Sequence, residues 1–551
     1  MIVMFFLLRR AAGMNVLLVR REAARATRRP LWQRLNLDVV AALLALIGYG
    51  VSLYLASISN LFDARTKALV AAPLTLVAPV FLLIGALLLF LRFFSALLRL
   101  GERLAVRGRG MISMLALAQM ARSPRQAIRM TLLLALAIAF AIFTLVFASS
   151  QSQRISDIAA YESGADFSGD IPLAAQHLTV QGETAKYSTI PGVTSATAGY
   201  TGTGVTAGTS PTLPMQIRAI DARTFAHTAI WTPQYSSQSL TSLMAQLVAR
   251  HGAAANGTVP VIIDAVTMST LGLQVNDSFT LSVNNLPYST LNCMVIAEVQ
   301  HIPTINNSDT AGSSAQPGGV LLDYTTFATV YAQNILANRY GADPYLPINH
   351  AWLRTAGDTA SLAHVRAALT TPDLRLDNLY DRQVLIATMH NDPLYLNLII
   401  ILVVGAATAL LLTLVGDLIA SWLSVRTRVT NFAVLRSLGA TSGQVTRVLL
   451  WEQVIVYIAA LLLGVVFGVV LSATAVPTLS FSSTPAGGVL GSISNDEFFA
   501  IQHIIPTQII VPLSLGLAFI ALVAVCVFAL GTMVGVVVRP SMSQALRLNE
   551  D

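Results

Sequence analysis

The sequence predicts an α-helical integral membrane protein with six transmembrane helices and a large extracytoplasmic α+β domain. Of its 551 residues, 54% are hydrophobic and only 11% are charged, whereas a soluble globular chain carries about 25% charged residues. Six apolar stretches reach the roughly 20 residues that a helix needs to cross a bilayer. Between the third and the fourth stretch lies region 151–393, which has the composition of a soluble domain. Together these observations define the fold class.

The apolar stretches divide the chain into membrane and non-membrane parts. The predicted spans are Leu37–Ser57, Val70–Leu91, Met130–Ser149, Leu394–Val415, Val454–Ala475 and Gln508–Val538. The resulting domains are an Arg-rich cytoplasmic lead-in (1–35), a two-helix membrane segment with a cytoplasmic loop (36–110), an amphipathic helix with the third span (111–150), the outer domain (151–393) and a three-span domain (394–551). Pro512 predicts a kink or a tilted entry in the last span.

The positions of the arginines predict the orientation of the spans. Arginines are concentrated before the first span, between the second and third, between the fourth and fifth, and after the sixth. Loop 477–507 contains Asp496 and Glu497 but no basic residue. Because cytoplasmic loops carry the excess of Lys and Arg, both termini are expected in the cytoplasm and residues 151–393 outside the plasma membrane. The arginines flank the spans, which favours contacts with anionic membrane lipids over nucleic-acid binding.

The outer domain shows strand and helix patterns in alternation. Turn residues separate runs rich in β-branched side chains, which are typical of strands. Strands are predicted at Val259–Ile263, Ser278–Val283 and Leu291–Val299, and helices at Leu240–Arg250, Val266–Leu271, Thr325–Asn338 and Thr359–Leu369. Segment Thr304–Gly319 is rich in Asn, Ser, Gly and Ala, which predicts a flexible loop or a boundary between two lobes.

The sequence contains no recognisable catalytic motif. A P-loop needs Gly-Lys followed by Ser or Thr, but Lys67 follows Thr66 and Lys186 follows Ala185. The histidines are scattered singly and the two cysteines are too few for a zinc site. Asp377 and Asp381 stand at the i, i+4 spacing of a solvated helical face. We therefore predict no catalytic residue, no metal and no cofactor, and a chain that is not an enzyme in its own right.

Charged residues at the predicted spans lie at the span ends. Asp38, Asp417 and Glu452 are the candidates, and each can reach headgroups and water from its position. They are expected to be interfacial, with a structural or coupling role as the alternative. An ion-coupled transporter, which needs charges within the spans, is thus poorly supported.

Two pairs of glycines have the spacing of helix-packing motifs. Gly464 and Gly468 form one GxxxG pattern, and Gly531 and Gly535 form another. Small residues at this spacing let helix backbones approach closely. The alternative is that glycine is simply frequent in membrane helices.

The cytoplasmic segment between the fourth and fifth spans predicts a helix, a sharp turn and a second helix. Phe432, Leu435 and Leu438 share one helical face, and Gly439 supplies a helix stop. Thr441 or Ser442 can cap the following helix. The apolar face could enter a groove on a soluble partner or lie on lipid headgroups, and the residues alone leave both open.

This segment resembles the signature of FtsX-like permeases of the MacB/LolC type, the membrane subunits of ABC transporters. The resemblance rests on the run from Asn431 to Thr441, followed by Glu452 and the helix of Gly464 and Gly468. It implies that the segment is a coupling helix for a cytoplasmic ABC ATPase, which binds the ATP. The implied coupling residues are Asn431, Phe432, Val434, Leu435, Arg436, Leu438, Gly439 and Ala440. The family usually has an acidic residue at the position of Asn431.

The resemblance extends over most of the chain. Met114–Thr131 is similar to the family's amphipathic helix, Val259–Pro303 to its periplasmic core domain, and the whole to the C-terminal six spans of a ten-span member. A second permease module is then implied, either as a homodimer or as a separate N-terminal half. The implied function is coupling of ATP hydrolysis to movement of the outer domain, for export or mechanotransmission. The alternatives are a regulator of envelope enzymes without transport and a membrane receptor that needs no ATPase.

Overall fold

The computed structural model divides into two compact units. It describes residues 36–57, 81–94, 116–118, 120, 124–172, 179–208, 212–287, 289–306, 317–338, 344–427, 441–477, 505 and 507–538. The first unit comprises residues up to Phe147, Val403–Leu479 and Val511–Asp551, and the second comprises Ala148–Leu402 and Ser480–Ile510.

The helices and strands are numbered in chain order. The helices are α1 (Leu37–Ser57), α2 (Phe81–Phe94), α3 (Pro124–Ser163), α4 (Val180–Ser188), α5 (Phe225–Thr228), α6 (Leu240–Ala249), α7 (Ala265–Leu271), α8 (Tyr324–Asn338), α9 (Thr359–Ala368), α10 (Arg382–His390), α11 (Pro393–Thr427), α12 (Ser442–Ala475) and α13 (Leu513–Val538). The strands are β1 (Phe167–Asp170), β2 (Val193–Ala207), β3 (Pro214–Ile220), β4 (Thr258–Asp264), β5 (Ser278–Val283), β6 (Thr290–Val299), β7 (Gly318–Asp323), β8 (His350–Thr355) and β9 (Asp377–Asp381).

Long apolar helices occur where the sequence predicts them. Within the described residues, three stretches are long and apolar enough to cross a membrane, namely Ala127–Ser163, Pro393–Gly416 and Thr446–Ala475. They belong to α3, α11 and α12. The other predicted spans correspond to α1, α2 and α13, whose described apolar stretches are shorter. Helices long and apolar enough to cross a membrane are therefore confirmed in the described part of the chain, while the number of spans, six, stays a prediction.

The last of these helices begins later than predicted. The apolar run starts at Gln508, but α13 starts at Leu513, immediately after Pro512. Proline fixes its own φ and has no backbone N–H, so a helix tolerates it at the beginning but not in the interior. The carbonyl of Pro512 instead accepts a hydrogen bond from Leu515 N–H at 3.0 Å.

A nine-stranded sheet organises the second unit. Its strand order is β3-β7-β4-β6-β5-β2-β8-β1-β9, and β2 pairs with β3 as well. Because of this additional pairing, six strands (β2, β3, β7, β4, β6 and β5) are hydrogen-bonded in a closed ring. The pairs β3–β7 and β4–β6 are parallel, and the other pairs are antiparallel. Strands β8, β1 and β9 extend the sheet beyond the ring.

The predicted elements of this unit are confirmed with small changes at their ends. Strand β4 is buried on both faces, because Val259, Val261 and Ile263 enter one apolar cluster and Ile262 enters another. Such double burial explains its continuous apolar sequence. Asp264 then ends the strand and begins α7, since its Oδ1 accepts the N–H of Thr267 at 2.8 Å. The mixture of helices and strands is the predicted α+β arrangement.

One local prediction is wrong. Asp377 and Asp381 do not share a helical face, because both lie in strand β9. Asp381 is the N-cap of α10 and accepts the backbone N–H groups of Gln383 and Val384. Two residues four positions apart in the sequence can be the ends of a five-residue strand or neighbours on one turn of a helix. The i, i+4 pattern alone therefore did not distinguish the two.

The predicted loop Thr304–Gly319 is described only at its ends. Thr304–Asn306 is irregular, residues 307–316 lie outside the described part, and Gly318 begins strand β7.

Candidate functional site

A polar pocket of about 410 Å³ lies in the second unit. It is within the 300–1,000 Å³ range of small-molecule sites. Its lining residues are polar or charged with one glycine among them: Glu162, Ser168, Asp170, Thr201, Gly202, Thr203, Gln216, Arg218, Thr304, Asn306, His350, Asn378 and Tyr380.

Strand periodicity places most of these side chains. Alternate residues of a strand point to the same face of a sheet, and four strands each contribute a pair two residues apart. The pairs are Ser168 and Asp170 on β1, Thr201 and Thr203 on β2, Gln216 and Arg218 on β3, and Asn378 and Tyr380 on β9. The pairing register sets Thr201 opposite Arg218 and Asp170 opposite His350. The pocket is thus the polar face of neighbouring strands.

Arg218 anchors one side of the pocket. Its Nε donates to Thr304 Oγ1 at 2.8 Å, its Nη2 to the Thr304 carbonyl at 2.5 Å and its Nη1 to the Ile217 carbonyl at 3.0 Å. Burial lowers the pKa of the guanidinium to about 10, an effect opposed by Tyr161, Asp170 and Tyr380. The group therefore remains charged at neutral pH. A guanidinium has five N–H donors, so two of them have no partner in the described part of the protein.

His350 and Asp170 form a second polar centre. Nδ1 of His350 lies 2.8 Å from Asp170 Oδ1, and Asn378 Nδ2 donates to Asp170 Oδ2 at 2.9 Å. Burial lowers the pKa of His350 despite the opposing effect of Asp170. For Asp170, burial acts upward, but the hydrogen bonds from His350 and Asn378 outweigh it and lower the pKa. At neutral pH the pair is accordingly a neutral imidazole that donates its Nδ1–H to a carboxylate.

Two residues of the pocket have unusual backbone conformations. Thr304 has a φ of 67° and Asn378 a φ of 48°. A positive φ is a genuine outlier for a β-branched residue such as Thr304, and such strain concentrates at binding and active sites. Arg218 holds Thr304 in place, and Tyr161 reinforces it by accepting the N–H of Thr304 at its carbonyl at 2.8 Å. The pocket wall is therefore fixed by contacts from several elements.

The positive φ of Asn378 coincides with a register shift. Ser168 pairs with Tyr380, whereas Asp170 pairs with Asp377, so β9 carries one more residue than β1 over this interval. Such a bulge redirects side chains, and here Asn378 reaches Asp170. A Cβ on Gly169 would lie 2.9 Å from the Asp377 carbonyl oxygen. The close approach of β1 and β9 thus requires glycine at this position.

The free hydrogen-bonding groups indicate binding more than catalysis. Ser168 is 1% exposed, and its Oγ has no hydrogen-bond partner among the described residues. Ser168 and His350 therefore make no nucleophile–base contact, although His350 and Asp170 have the geometry of a base and its orienting carboxylate. What remains is a set of fixed donors and acceptors around a cavity.

The sequence does not reveal this pocket on its own. The pattern Gln216-Ile217-Arg218, with a buried Ile217 between two polar residues, is also typical of an ordinary solvated strand. Thr201 and Asp170 are equally unremarkable as isolated residues. The sequence does contain pairs of polar residues at i, i+2 on four strands. Only the strand order shows that these four pairs lie next to one another.

The sequence-predicted coupling residues lie outside the described residues. Asn431, Phe432, Val434, Leu435, Arg436, Leu438, Gly439 and Ala440 all fall between the end of α11 at Thr427 and Thr441. The predicted cap that follows them is present, because Gln444 Oε1 accepts the N–H of Thr441 at 3.1 Å, directly before α12.

The two glycine pairs have different surroundings. A Cβ on Gly464 would lie 2.7 Å from Ile138 Cβ, and one on Gly468 would lie 2.9 Å from Ile142 Cβ. Helix α12 therefore approaches α3 closely at both glycines. Gly531 has no heavy atom within 4 Å of such a Cβ, and Gly535 lies further along α13.

The predicted interfacial acids lie on helices that are long and apolar enough to cross a membrane. Asp417 follows the apolar stretch Pro393–Gly416 of α11, and Glu452 lies near the start of Thr446–Ala475 on α12. Their interfacial role stays a prediction. In the described ranges, no three His, Cys, Asp or Glu side chains are grouped as a metal site would require.

Comparison with known proteins identifies the membrane part. Three helices of the described residues are long and apolar enough to cross a membrane, the feature typical of an integral membrane protein. Residues 403–541 match the family described as FtsX-like permease C-terminal. The resemblance to FtsX-like permeases seen in the sequence is confirmed. No curated protein matches the sequence.

Two solved structures are similar to part of the chain. One is the periplasmic region of MacB from Actinobacillus actinomycetemcomitans, with a TM-score of 0.25, 11% identity, and coverage of 42% of this chain and 95% of that one. The other is the extracellular domain of the noncanonic ABC-type transporter YknZ from Gram-positive bacteria, with a TM-score of 0.21, 8% identity, and coverage of 36% and 88%.

Proposed function

We propose that this chain is the permease subunit of an ABC transporter, which couples ATP hydrolysis by a separate ATPase to movement of residues 151–393. The observation that carries the proposal is the match of residues 403–541 to the FtsX-like permease C-terminal family. This range includes every predicted coupling residue. The chain itself is non-catalytic on this proposal, and the ATPase binds the ATP.

The segment between α11 and α12 is the proposed contact with the ATPase. Helix α11 ends at Thr427 and α12 begins at Ser442 after the capped Thr441. Between them, Phe432, Leu435 and Leu438 repeat at the spacing of one helical face. An apolar helical face that docks into a groove is a common mode of recognition. The segment is proposed to lie in the cytoplasm, as are both termini, and residues 151–393 outside the cell.

Co-purification with the candidate ATPase tests this contact. Leu435→Asp and Leu438→Asp should each release the ATPase, because burying a carboxylate in an apolar groove is strongly unfavourable. Ser437→Asp is the matched control, since helical spacing places Ser437 opposite the apolar face. It should retain the partner, and all variants should insert into the membrane as the unsubstituted protein does.

The outcome separates a permease coupled to an ATPase from a receptor that acts without one. Retention and normal stimulation of the ATPase by both Leu variants would contradict the coupling assignment. A receptor that acts without an ATPase would co-purify with none under any condition. An envelope regulator would bind the ATPase and lose it in the Leu variants but would move no substrate.

A second permease module is part of the proposal. On this proposal, one three-span domain such as residues 394–551 contacts one ATPase subunit. Two ATPase subunits close together around ATP, so two such domains are needed. The mass of the purified complex should therefore correspond to two permease modules, either two copies of this chain or this chain with a separate N-terminal half.

A further inference from the structure

We infer that the pocket around Arg218 and His350 binds a small zwitterion of the amino-acid or dipeptide class, with its carboxylate on Arg218 and its ammonium group on His350. The inference goes beyond the proposed function, because binding at this pocket requires neither an ATPase nor a second permease module.

The carboxylate end is assigned to Arg218 and Ser168. Arg218 keeps two N–H donors that have no partner in the described ranges, while its other donors fix Thr304 and the Ile217 carbonyl. Arginine N–H groups make their strongest hydrogen bonds to carboxylates. The Oγ–H of Ser168, buried and without a partner in the same part of the chain, supplies a further donor. A bound carboxylate would satisfy both side chains.

The ammonium end is assigned to His350. Its Nδ1–H is directed to Asp170, so Nε2 of the neutral ring is an acceptor. This nitrogen has no hydrogen-bond partner among the residues that the structure describes. An ammonium group can donate to it, and the carboxylates of Asp170 and Glu162, which line the same cavity, favour a positive charge there.

The charges of the pocket select against other ligand classes. Asp170 and Glu162 repel a simple anion, Arg218 repels a simple cation, and the polar lining gives an apolar compound few partners. A molecule with both charges meets opposite charges at its two ends. The volume of about 410 Å³ limits the ligand to a small one.

The pocket is held open by contacts that the ligand does not have to provide. Gln216 Nε2 donates to the Asn306 carbonyl at 2.8 Å and its Oε1 accepts the Asn306 N–H at 3.1 Å. Together with the contacts of Arg218 to Thr304, these bonds fix the loop 304–306. A preorganised site avoids the free-energy cost of ordering side chains during binding.

Binding to the full-length protein in detergent tests the inference. Thermal unfolding is measured with each of the free amino acids and with a set of dipeptides, followed by calorimetric titration of the compounds that raise Tm. The blocked comparators are N-acetylated dipeptides, which lack the ammonium group, and dipeptide amides, which lack the carboxylate. We expect at least one zwitterion to raise Tm and both blocked forms of it to bind at least 10-fold more weakly.

Three variants locate the site. Arg218→Gln should weaken binding at least 100-fold, because both the charge and the paired donors are lost. Ser168→Ala should weaken it about 5-fold, as the loss of one hydrogen bond implies, and should fold normally because Oγ has no partner to lose. Arg223→Gln removes an exposed arginine of the same unit outside the pocket and should leave binding unchanged.

Three results would overturn the inference. If no amino acid or dipeptide raises Tm, or if the blocked forms bind as tightly as the zwitterion, the assignment is wrong. Unchanged affinity in a correctly folded Ser168→Ala protein would also contradict it, even if Arg218→Gln fails to fold.

Discussion

Burial and hydrogen bonding act on His350 and Asp170 in a way that fixes their charges. Burial lowers the pKa of His350, and two donors lower that of Asp170. The folded protein thus holds a neutral His350 at a pH where the unfolded chain begins to bind a proton. Arg218 lies near both groups and also disfavours a positive charge on the ring.

The stability of the second unit should decrease in mild acid. A histidine with a lowered pKa contributes stability that is present above its unfolded pKa of about 6.5 and lost as pH falls through its folded value. His301 acts in the same direction, since burial lowers its pKa as well. We expect Tm to fall between pH 7.5 and pH 5, and His350→Asn to make this fall less steep because the amide still donates to Asp170 but does not titrate. An equally steep fall in the variant would show that His350 is not responsible.

Gly169 should not tolerate a larger side chain. A Cβ there would lie 2.9 Å from the Asp377 carbonyl oxygen and 2.9 Å from Leu376 Cβ. Gly169→Ala should cost about 1–3 kcal/mol through overpacking, which lowers Tm by several degrees. Gly252→Ala is the control, because no atom lies within 4 Å of its Cβ, and its Tm should be unchanged or slightly raised. Similar Tm values for the two variants, measured by thermal unfolding, would contradict the close approach of β1 and β9.

At the scale of elements, prediction from the sequence succeeded where local patterns determine structure. Strand β5 (Ser278–Val283) has its predicted bounds. Strand β4 is one residue longer than predicted at each end, and helix α8 begins one residue earlier than predicted. Apolar periodicity and turn residues are local signals, so one sequence suffices to find them. The start of α13 was predicted less well, because the helix begins only after Pro512 although the apolar run is already uniform before it.

The pocket could not be predicted in the same way because it depends on pairing between distant strands. Asp170 and His350 are opposite one another in the sheet although 180 residues separate them. The bulge at Asn378 and the positive φ of Thr304 are also tertiary features. A local pattern can indicate that Arg218 lies on a polar strand face, but it cannot indicate which other faces adjoin it.

The contact between α3 and α12 should depend on its glycines. Alanine is a better helix former than glycine, so propensity alone predicts that Gly→Ala substitutions stabilise a helix. At Gly464 and Gly468 the new methyl groups would instead collide with Ile138 and Ile142. We expect the double variant Gly464→Ala, Gly468→Ala to lose about 1–3 kcal/mol of folding stability and therefore to unfold at a lower temperature. Unfolding is measured by size-exclusion chromatography of samples heated to a series of temperatures.

Gly531→Ala is the matched control for this contact. The same substitution on α13 meets no heavy atom within 4 Å, so its unfolding temperature should not decrease. A decrease of the same size at Gly531 would mean that the loss at Gly464 and Gly468 does not arise from the contact with α3.

At the scale of the whole molecule, the distribution of arginines predicts the side of the membrane on which each segment lies. Cys293 and Cys526 are both buried, and burial raises the pKa of the Cys293 thiol, so background labelling should be low. In intact cells, a membrane-impermeant maleimide should label Thr371→Cys, an exposed position after α9. It should label Ser437→Cys only after permeabilisation. Labelling of both positions in intact cells would overturn the predicted orientation.

The closed ring of strands has a consequence for association of the second unit with other chains. In the described sheet, β9 is the strand with a neighbour on one side alone. It is five residues long, has Asp377 and Asp381 at its ends and is interrupted by the bulge at Asn378. Short, charged and bulged edges resist the addition of a foreign strand. The domain is thereby protected against edge-to-edge aggregation, and any protein that recognises it must do so through side chains and loops.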